Sequence, residues 1–173
     1  MLNKLPNTLT LIGIILGLVA ASVLIIHHNY LLAFLLILVS ALIDRYDGKI
    51  ARKHNVESTL GKYLDNTNDI ISFSITPAIA ITLTQPLSHI SINIFLATLY
   101  LLASMLRLHS FSNATAPTHL KGLPTTIGAL IILLSLLLLN RFNTDTQPYT
   151  IILTSITIVT SILLIQRKFI KKI

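Results

Sequence analysis

Four long stretches of this chain, 5–43, 70–106, 122–140 and 146–166, contain no Asp, Glu, Lys or Arg. They run for 39, 37, 19 and 21 residues. A helix needs about 20 mostly apolar residues to cross a hydrocarbon core of about 30 Å. The two longer stretches therefore each hold a pair of spans and the two shorter ones a single span. The chain reads as an all-α polytopic membrane protein with six transmembrane helices. Its 173 residues are 53% hydrophobic and 11% charged, where a soluble domain carries about 25% charge, so an ordinary soluble enzyme is excluded. The absence of cysteine excludes a disulfide, a thiolate nucleophile and a Cys-ligated zinc site.

Breaks at His27-His28-Asn29-Tyr30 and at Gln85-Pro86 place the spans near 8–26, 30–44, 66–84, 90–110, 123–140 and 148–166. The connections then fall alternately on two sides. Twelve of the thirteen Lys and Arg residues lie with the two termini, 45–65 and 107–122, and only Arg141 lies opposite. Cytoplasmic segments of membrane proteins collect Lys and Arg, so both termini and the two basic connections are expected in the cytoplasm. The net charge of +7 is accordingly read as topological and not as a nucleic-acid footprint. The first apolar run continues directly into a second and is read as a retained span, not a cleaved leader. Asn7 or Thr8 is expected to cap its helix. A single membrane domain, 1–173, accounts for the whole chain.

Five of the six acidic residues, Asp44, Asp47, Glu57, Asp65 and Asp69, fall within 26 residues at the cytoplasmic ends of the second and third spans. Carboxylates at membrane depth are costly and mark function. Asp44, Asp47, Gly48, Ala51 and Arg52 recur at helical spacing and make one stripe of a helix that continues past the membrane surface. Gly61, Asp65, Asp69 and Ser72 make a second stripe. A turn around His54-Asn55-Val56 lets the two stripes face each other and brings four aspartates together. Neutralisation by Arg52 and Lys62 would make this a solvated ion-pair network. The other reading is a cation site, whose all-oxygen donors suit Mg²⁺, Mn²⁺ or Ca²⁺. Four carboxylates match two ions clamping a pyrophosphate. Gly48, Ala51 and Gly61 leave room for a ligand or for close helix packing.

The run Asp44-Arg45-Tyr46-Asp47-Gly48-Lys49-Ile50-Ala51-Arg52, then eight residues, Gly61, three residues, Asp65, three residues and Asp69 resembles the signature D-x2-D-G-x2-A-R-x8-G-x3-D-x3-D of CDP-alcohol phosphotransferases at every fixed position. That resemblance implies a six-span homodimer that transfers a phosphatidyl-type group from a CDP-lipid, such as CDP-diacylglycerol, to an alcohol, with release of CMP. It implies that Asp44, Asp47 and Asp65 hold one Mg²⁺ or Mn²⁺, that Asp44, Asp65 and Asp69 hold a second, and that Asp69 is the general base. It further places Gly48, Ala51, Arg52, Ser58 and Gly61 around the CDP moiety together with Asp44 and Asp47. Asn7 and Thr10, in the opening Pro6-Asn7-Thr8-Leu9-Thr10, join them near the CDP-lipid.

For the acceptor, Asp65 to Ala78, Leu106-Arg107-Leu108-His109-Ser110-Phe111 and Lys121-Gly122-Leu123-Pro124-Thr125-Thr126 resemble runs of the phosphatidylserine synthase branch. This implies L-serine as the alcohol, with Arg107, Lys121 and Ser72 near it. Ser74, Ser110 and Thr126 depart from that branch. Ser110 stands where the branch has a second arginine, and serine cannot replace its bidentate grip on a carboxylate. Arg107 and Lys121 equally suit glycerol 3-phosphate or inositol phosphate, or anchor span ends. Two other readings, an intramembrane prenyltransferase and a small cation transporter, account less well for the spacing of Gly48, Ala51, Arg52 and Gly61 and for acids clustered at one face. The histidines are read as interfacial, with His109 nearest the site. The C-terminal Arg167-Lys168 and Lys171-Lys172 are placed against anionic headgroups.

Overall fold

A computed structural model describes residues 5–54, 58–84, 90–112, 122–141 and 146–166. Every described element is helical: α1 (Leu5–His27), α2 (Tyr30–His54), α3 (Thr59–Ile70), a π-helical turn (Ile71–Ile75), α4 (Thr76–Thr82), α5 (Ile90–Ser112), α6 (Thr125–Arg141) and α7 (Thr146–Ile165). The all-α expectation holds. α3, the π turn and α4 follow one another without a break, so the expected third span is an interrupted rod.

The first helix starts earlier than its sequence suggested. It is under way at Leu5, which places Asn7 and Thr8 inside it and not at its cap. Pro6 explains the shift, because proline's fixed φ suits a first helical turn where its missing N–H is no loss. α1 ends at His28, whose φ of 49° is left-handed and whose N–H bonds the Leu24 carbonyl at 3.1 Å, a common helix stop. The Asn29 Oδ1 then accepts the Leu32 N–H at 3.0 Å and starts α2. This two-residue turn makes α1 and α2 an antiparallel hairpin.

The hairpin packs through a narrow seam. Pro6, Thr10, Gly13, Gly17, Ala20 and Leu24 are the buried positions that mark one edge of α1 in alternating steps of four and three, the spacing of left-handed helix pairs. Tyr30, Ala33, Ile37, Ser40 and Asp47 continue it on α2. The π turn lies at the centre of the bundle, packed against α1, α2, α5 and α6, while α5 and α6 also meet α7. The Leu123 N–H bonds the Leu163 carbonyl at 3.1 Å. This puts the start of α6 and the end of α7 at the same end of the bundle, as the alternating connections require.

The bundle buries an apolar core that includes Leu24, Ile37, Phe73, Leu96 and Leu133, and it also buries small polar side chains while leaving large apolar ones exposed. Ser40, Asn68, Ser72, Ser74, Thr76, Ser104 and Thr157 have no exposed surface, whereas Ile15, Phe95 and Ile151 are 58%, 65% and 65% exposed. An apolar exterior of this extent needs a lipid or protein partner. Two helices, Pro6–His27 and Ile90–Ser110, are long and apolar enough to cross a membrane, and Thr125–Arg141 and Tyr149–Ile165 are shorter apolar helices. α2 runs to His54, ten residues beyond the expected end of its span, so the acidic stripe is helical throughout. The turn at Asn55 and Val56 lies outside the described residues.

Candidate functional site

Helical spacing on α2 puts Asp44 and Asp47 on the same side, and α3 brings Asp65 to them. Each of these three aspartates offers a carboxylate oxygen, and the three oxygens lie within 4.8 Å of one another. Asp47 is buried, Asp44 half-buried and Asp65 exposed, so the cluster opens to one side. Asp69, one turn beyond Asp65, stands outside this set of three but within its field. Asp44 feels the charges of Asp69, Asp65 and Asp47. Asp69 feels Asp65, Asp47 and the opposing charge of Arg107 on α5. Carboxylates held this close repel strongly when ionised. An all-oxygen donor set with such an excess of negative charge fits a hard divalent cation and does not suit a soft metal.

Neighbouring side chains fix two of the acids. The Thr10 hydroxyl lies 2.7 Å from Asp47 Oδ2 and 3.0 Å from the Pro6 carbonyl. α1 thus supplies a donor to a buried carboxylate. On the other side, Asn68 Nδ2 donates to Asp44 Oδ1 at 3.2 Å. The Ser72 hydroxyl donates to Asn68 Oδ1 at 2.9 Å, and the Ser40 hydroxyl to the Gly13 carbonyl at 3.2 Å. Bare backbone on α1 makes this possible. A Cβ at Gly13 would stand 3.1 Å from Asn68 Oδ1, and one at Gly17 would stand 2.2 Å from Ser72 Oγ.

Ser58 caps α3, its Oγ accepting the Gly61 N–H at 3.0 Å, and is exposed. Asn7 reaches the same place, since a Cβ on Gly61 would lie 3.1 Å from its Oδ1. Gly48 is half-buried beside Asp47. Arg107 is half-buried and acts on Asp69, while Lys62 is exposed. Ser72 is fully buried and bonded to Asn68. The side chains of Ala51 and Arg52, and the whole of Lys121, lie outside the described residues.

The sequence reading overlooked Asn68, Ser40, Gly13 and Gly17. A signal for them existed: small and polar residues at i, i+4 spacing within apolar helices mark close, hydrogen-bonded helix contacts. It also overlooked the π turn. Pro77 has no N–H to give the carbonyl four residues earlier, that of Phe73, and its ring would press on that carbonyl in a regular helix. The turn widens there instead, and the Tyr100 hydroxyl of α5 donates to the Phe73 carbonyl at 2.9 Å. Wide turns of this kind recur at functional sites, and this one begins two residues after Asp69.

Residues 3–164 match the sequence pattern described as CDP-alcohol phosphatidyltransferase. The CDP-diacylglycerol–serine O-phosphatidyltransferase of Mycobacterium leprae (strain TN) is 30% identical over 179 residues, 99% of this chain and 59% of that protein. The protein of the same name from Bacillus subtilis (strain 168) is 31% identical over 137 residues, 78% of this chain and 76% of that protein. The one from Helicobacter pylori (strain ATCC 700392 / 26695) is 26% identical over 144 residues, 80% of this chain and 59% of that protein. The chain thus spans about three-fifths of the length of two of these relatives. The match runs through the whole acidic cluster and almost the whole bundle, and the chain belongs to the CDP-alcohol phosphatidyltransferase family.

Proposed function

We propose that this protein transfers a phosphatidyl group from CDP-diacylglycerol to the hydroxyl of L-serine, forming phosphatidylserine and CMP. The observation that carries the reading is the convergence of Asp44, Asp47 and Asp65 within 4.8 Å, with Asp69 one turn beyond. Two Mg²⁺ or Mn²⁺ ions, held by Asp44, Asp47 and Asp65 and by Asp44, Asp65 and Asp69, supply neutralisation of the pyrophosphate and of the departing CMP when bound. Asp69 takes the proton from the serine hydroxyl. The serine oxygen then bonds to the phosphorus that bears diacylglycerol, the bond from that phosphorus to the CMP oxygen breaks, and CMP leaves with the electron pair. Gly48, Ala51, Arg52, Ser58 and Gly61 surround the CDP moiety with Asp44 and Asp47, and Asn7 and Thr10 approach from α1. Arg107, with Lys121 and Ser72, belongs to the acceptor side.

The names of the relatives support serine as acceptor. Ser110, in place of an arginine, and the positive charge of Arg107 beside Asp69 favour glycerol 3-phosphate or inositol phosphate as the second reading. The protein acts as one domain, a homodimer with six spans in the cell membrane, its site facing the cytoplasm.

Purified full-length protein, given CDP-diacylglycerol and each alcohol in turn, tests reaction class and acceptor together. CMP release is expected with L-serine and divalent metal and is lost when EDTA is added. Asp69→Asn lowers turnover by about 10²- to 10⁴-fold, the usual contribution of a general base. Wild-type turnover by that variant removes Asp69 from the role. Release with glycerol 3-phosphate but not serine selects the second reading.

A further inference from the structure

Asn68 is an amide with no exposed surface inside a helical bundle, a setting in which every polar atom needs a partner. Its two ends meet different chemistry. On one side, Ser72 Oγ lies 2.9 Å and Ser40 Oγ 3.5 Å from its Oδ1. The bare face of Gly13 closes that side, since a Cβ there would stand 3.1 Å from the same oxygen. On the other side, Nδ2 lies 3.2 Å from Asp44 Oδ1. An ionised carboxylate only accepts, whereas a hydroxyl both donates and accepts. Asp44 therefore dictates which way the amide faces, and the serines adapt. Ser72 has one proton, and its 2.9 Å contact to Asn68 is shorter than its 3.4 Å contact to the Gly13 carbonyl. Ser40 has the Gly13 carbonyl at 3.2 Å. The result is a directed chain from Ser72 through Asn68 to Asp44, clamped between α1 and α2.

We propose that Asn68 is a positioning residue that fixes the Asp44 carboxylate for cation binding, with Ser72 and Gly13 holding the amide in plane. This rests on the metal-binding reading of the aspartates. A carboxylate free to rotate would present its oxygens to an ion only part of the time. One oxygen tethered to Nδ2 leaves the other at a set angle. Partners that orient metal ligands in this way typically change affinity by about 10- to 100-fold when removed. The alternative is that Asn68 only joins helices. Thr76 offers the comparison, because it is equally buried and its hydroxyl meets the Gly17 and Ile71 carbonyls without touching a carboxylate.

The test is Mn²⁺ titration of the metal-free, full-length protein in detergent, with free Mn²⁺ followed by its electron paramagnetic resonance signal. Wild-type protein takes up Mn²⁺ and Asp44→Asn does not. Asn68→Ala weakens uptake by about tenfold, Ser72→Ala weakens it less, and Thr76→Ala binds as wild type. Wild-type protein without Asp44-dependent uptake overturns the metal reading itself. Uptake unchanged in Asn68→Ala, or weakened equally in Thr76→Ala, overturns the positioning role alone. If Asn68→Ala elutes as an aggregate, Ser72→Ala takes its place in the comparison, and wild-type affinity there overturns the role.

Discussion

Thr10 has a single proton and two acceptors within reach, the Pro6 carbonyl and the Asp47 carboxylate. The carboxylate is the stronger acceptor and lies closer, so the hydroxyl serves α2 more than its own helix. Serving Asp47 makes Thr10 a support for the acidic cluster as well as a neighbour of the CDP-lipid. Thr10→Val keeps the shape and removes the proton. It is expected to raise the divalent-metal concentration for half-maximal CMP release about tenfold, as loss of a ligand's supporting partner does. Thr10→Ser, which keeps the hydroxyl, stays near wild type. A metal dependence unchanged by Val shows that Asp47 needs no such support. The acids themselves were readable because charge is rare in this chain, so each carboxylate stands out and its helical spacing can be counted. Asn68, Ser40 and Gly13 are neutral, and a reading guided by charge passes over them. Their spacing marks a close helix contact, but which carboxylate they support depends on which helices meet, a tertiary fact.

At the level of elements, the α1–α2 hairpin was legible in the polar break at 27–30, and the helical continuation of α2 past Asp44 in the spacing of its acidic stripe. The start of α1 and the π turn were not. Pro6 admits a helix earlier than the Asn and Thr that resemble caps, because a proline in the first turn is as good a beginning as a cap. The π turn combines Pro77 in α4 with a hydrogen bond from Tyr100 of α5 to the Phe73 carbonyl, and that bond exists only in the packed bundle. Tyr100→Phe removes the buried hydroxyl's hydrogen bond to the Phe73 carbonyl. The expected cost is about 1–3 kcal/mol, read as a lower thermal midpoint in detergent. Turnover also falls, because the turn begins two residues after Asp69. A midpoint equal to wild type shows that the carbonyl finds another donor.

For the whole molecule, the many large apolar side chains left exposed agree with the charge-free stretches, and the basic residues predict its orientation. The natural absence of cysteine makes that orientation directly measurable with one introduced thiol at a time. Lys62→Cys, at an exposed position on α3 near the acids, is expected to react with a membrane-impermeant maleimide only after the cells are opened. Arg141→Cys, exposed at the end of α6, reacts in intact cells. The reverse pattern turns the site outward, and equal reactivity from one side removes the alternating topology. The rod 59–82 also ties the site to a count of residues. A helix advances about 100° per residue, and the π turn holds more residues per turn than a regular helix. A relative one residue shorter between Asp69 and Pro77 would keep every letter of the acidic signature. Its aspartates would nevertheless be swung by about a quarter of a turn relative to the half of the rod that α5 and α6 grip. Spacing within the signature is thus only half of the specification; the phase between signature and bundle is the other half.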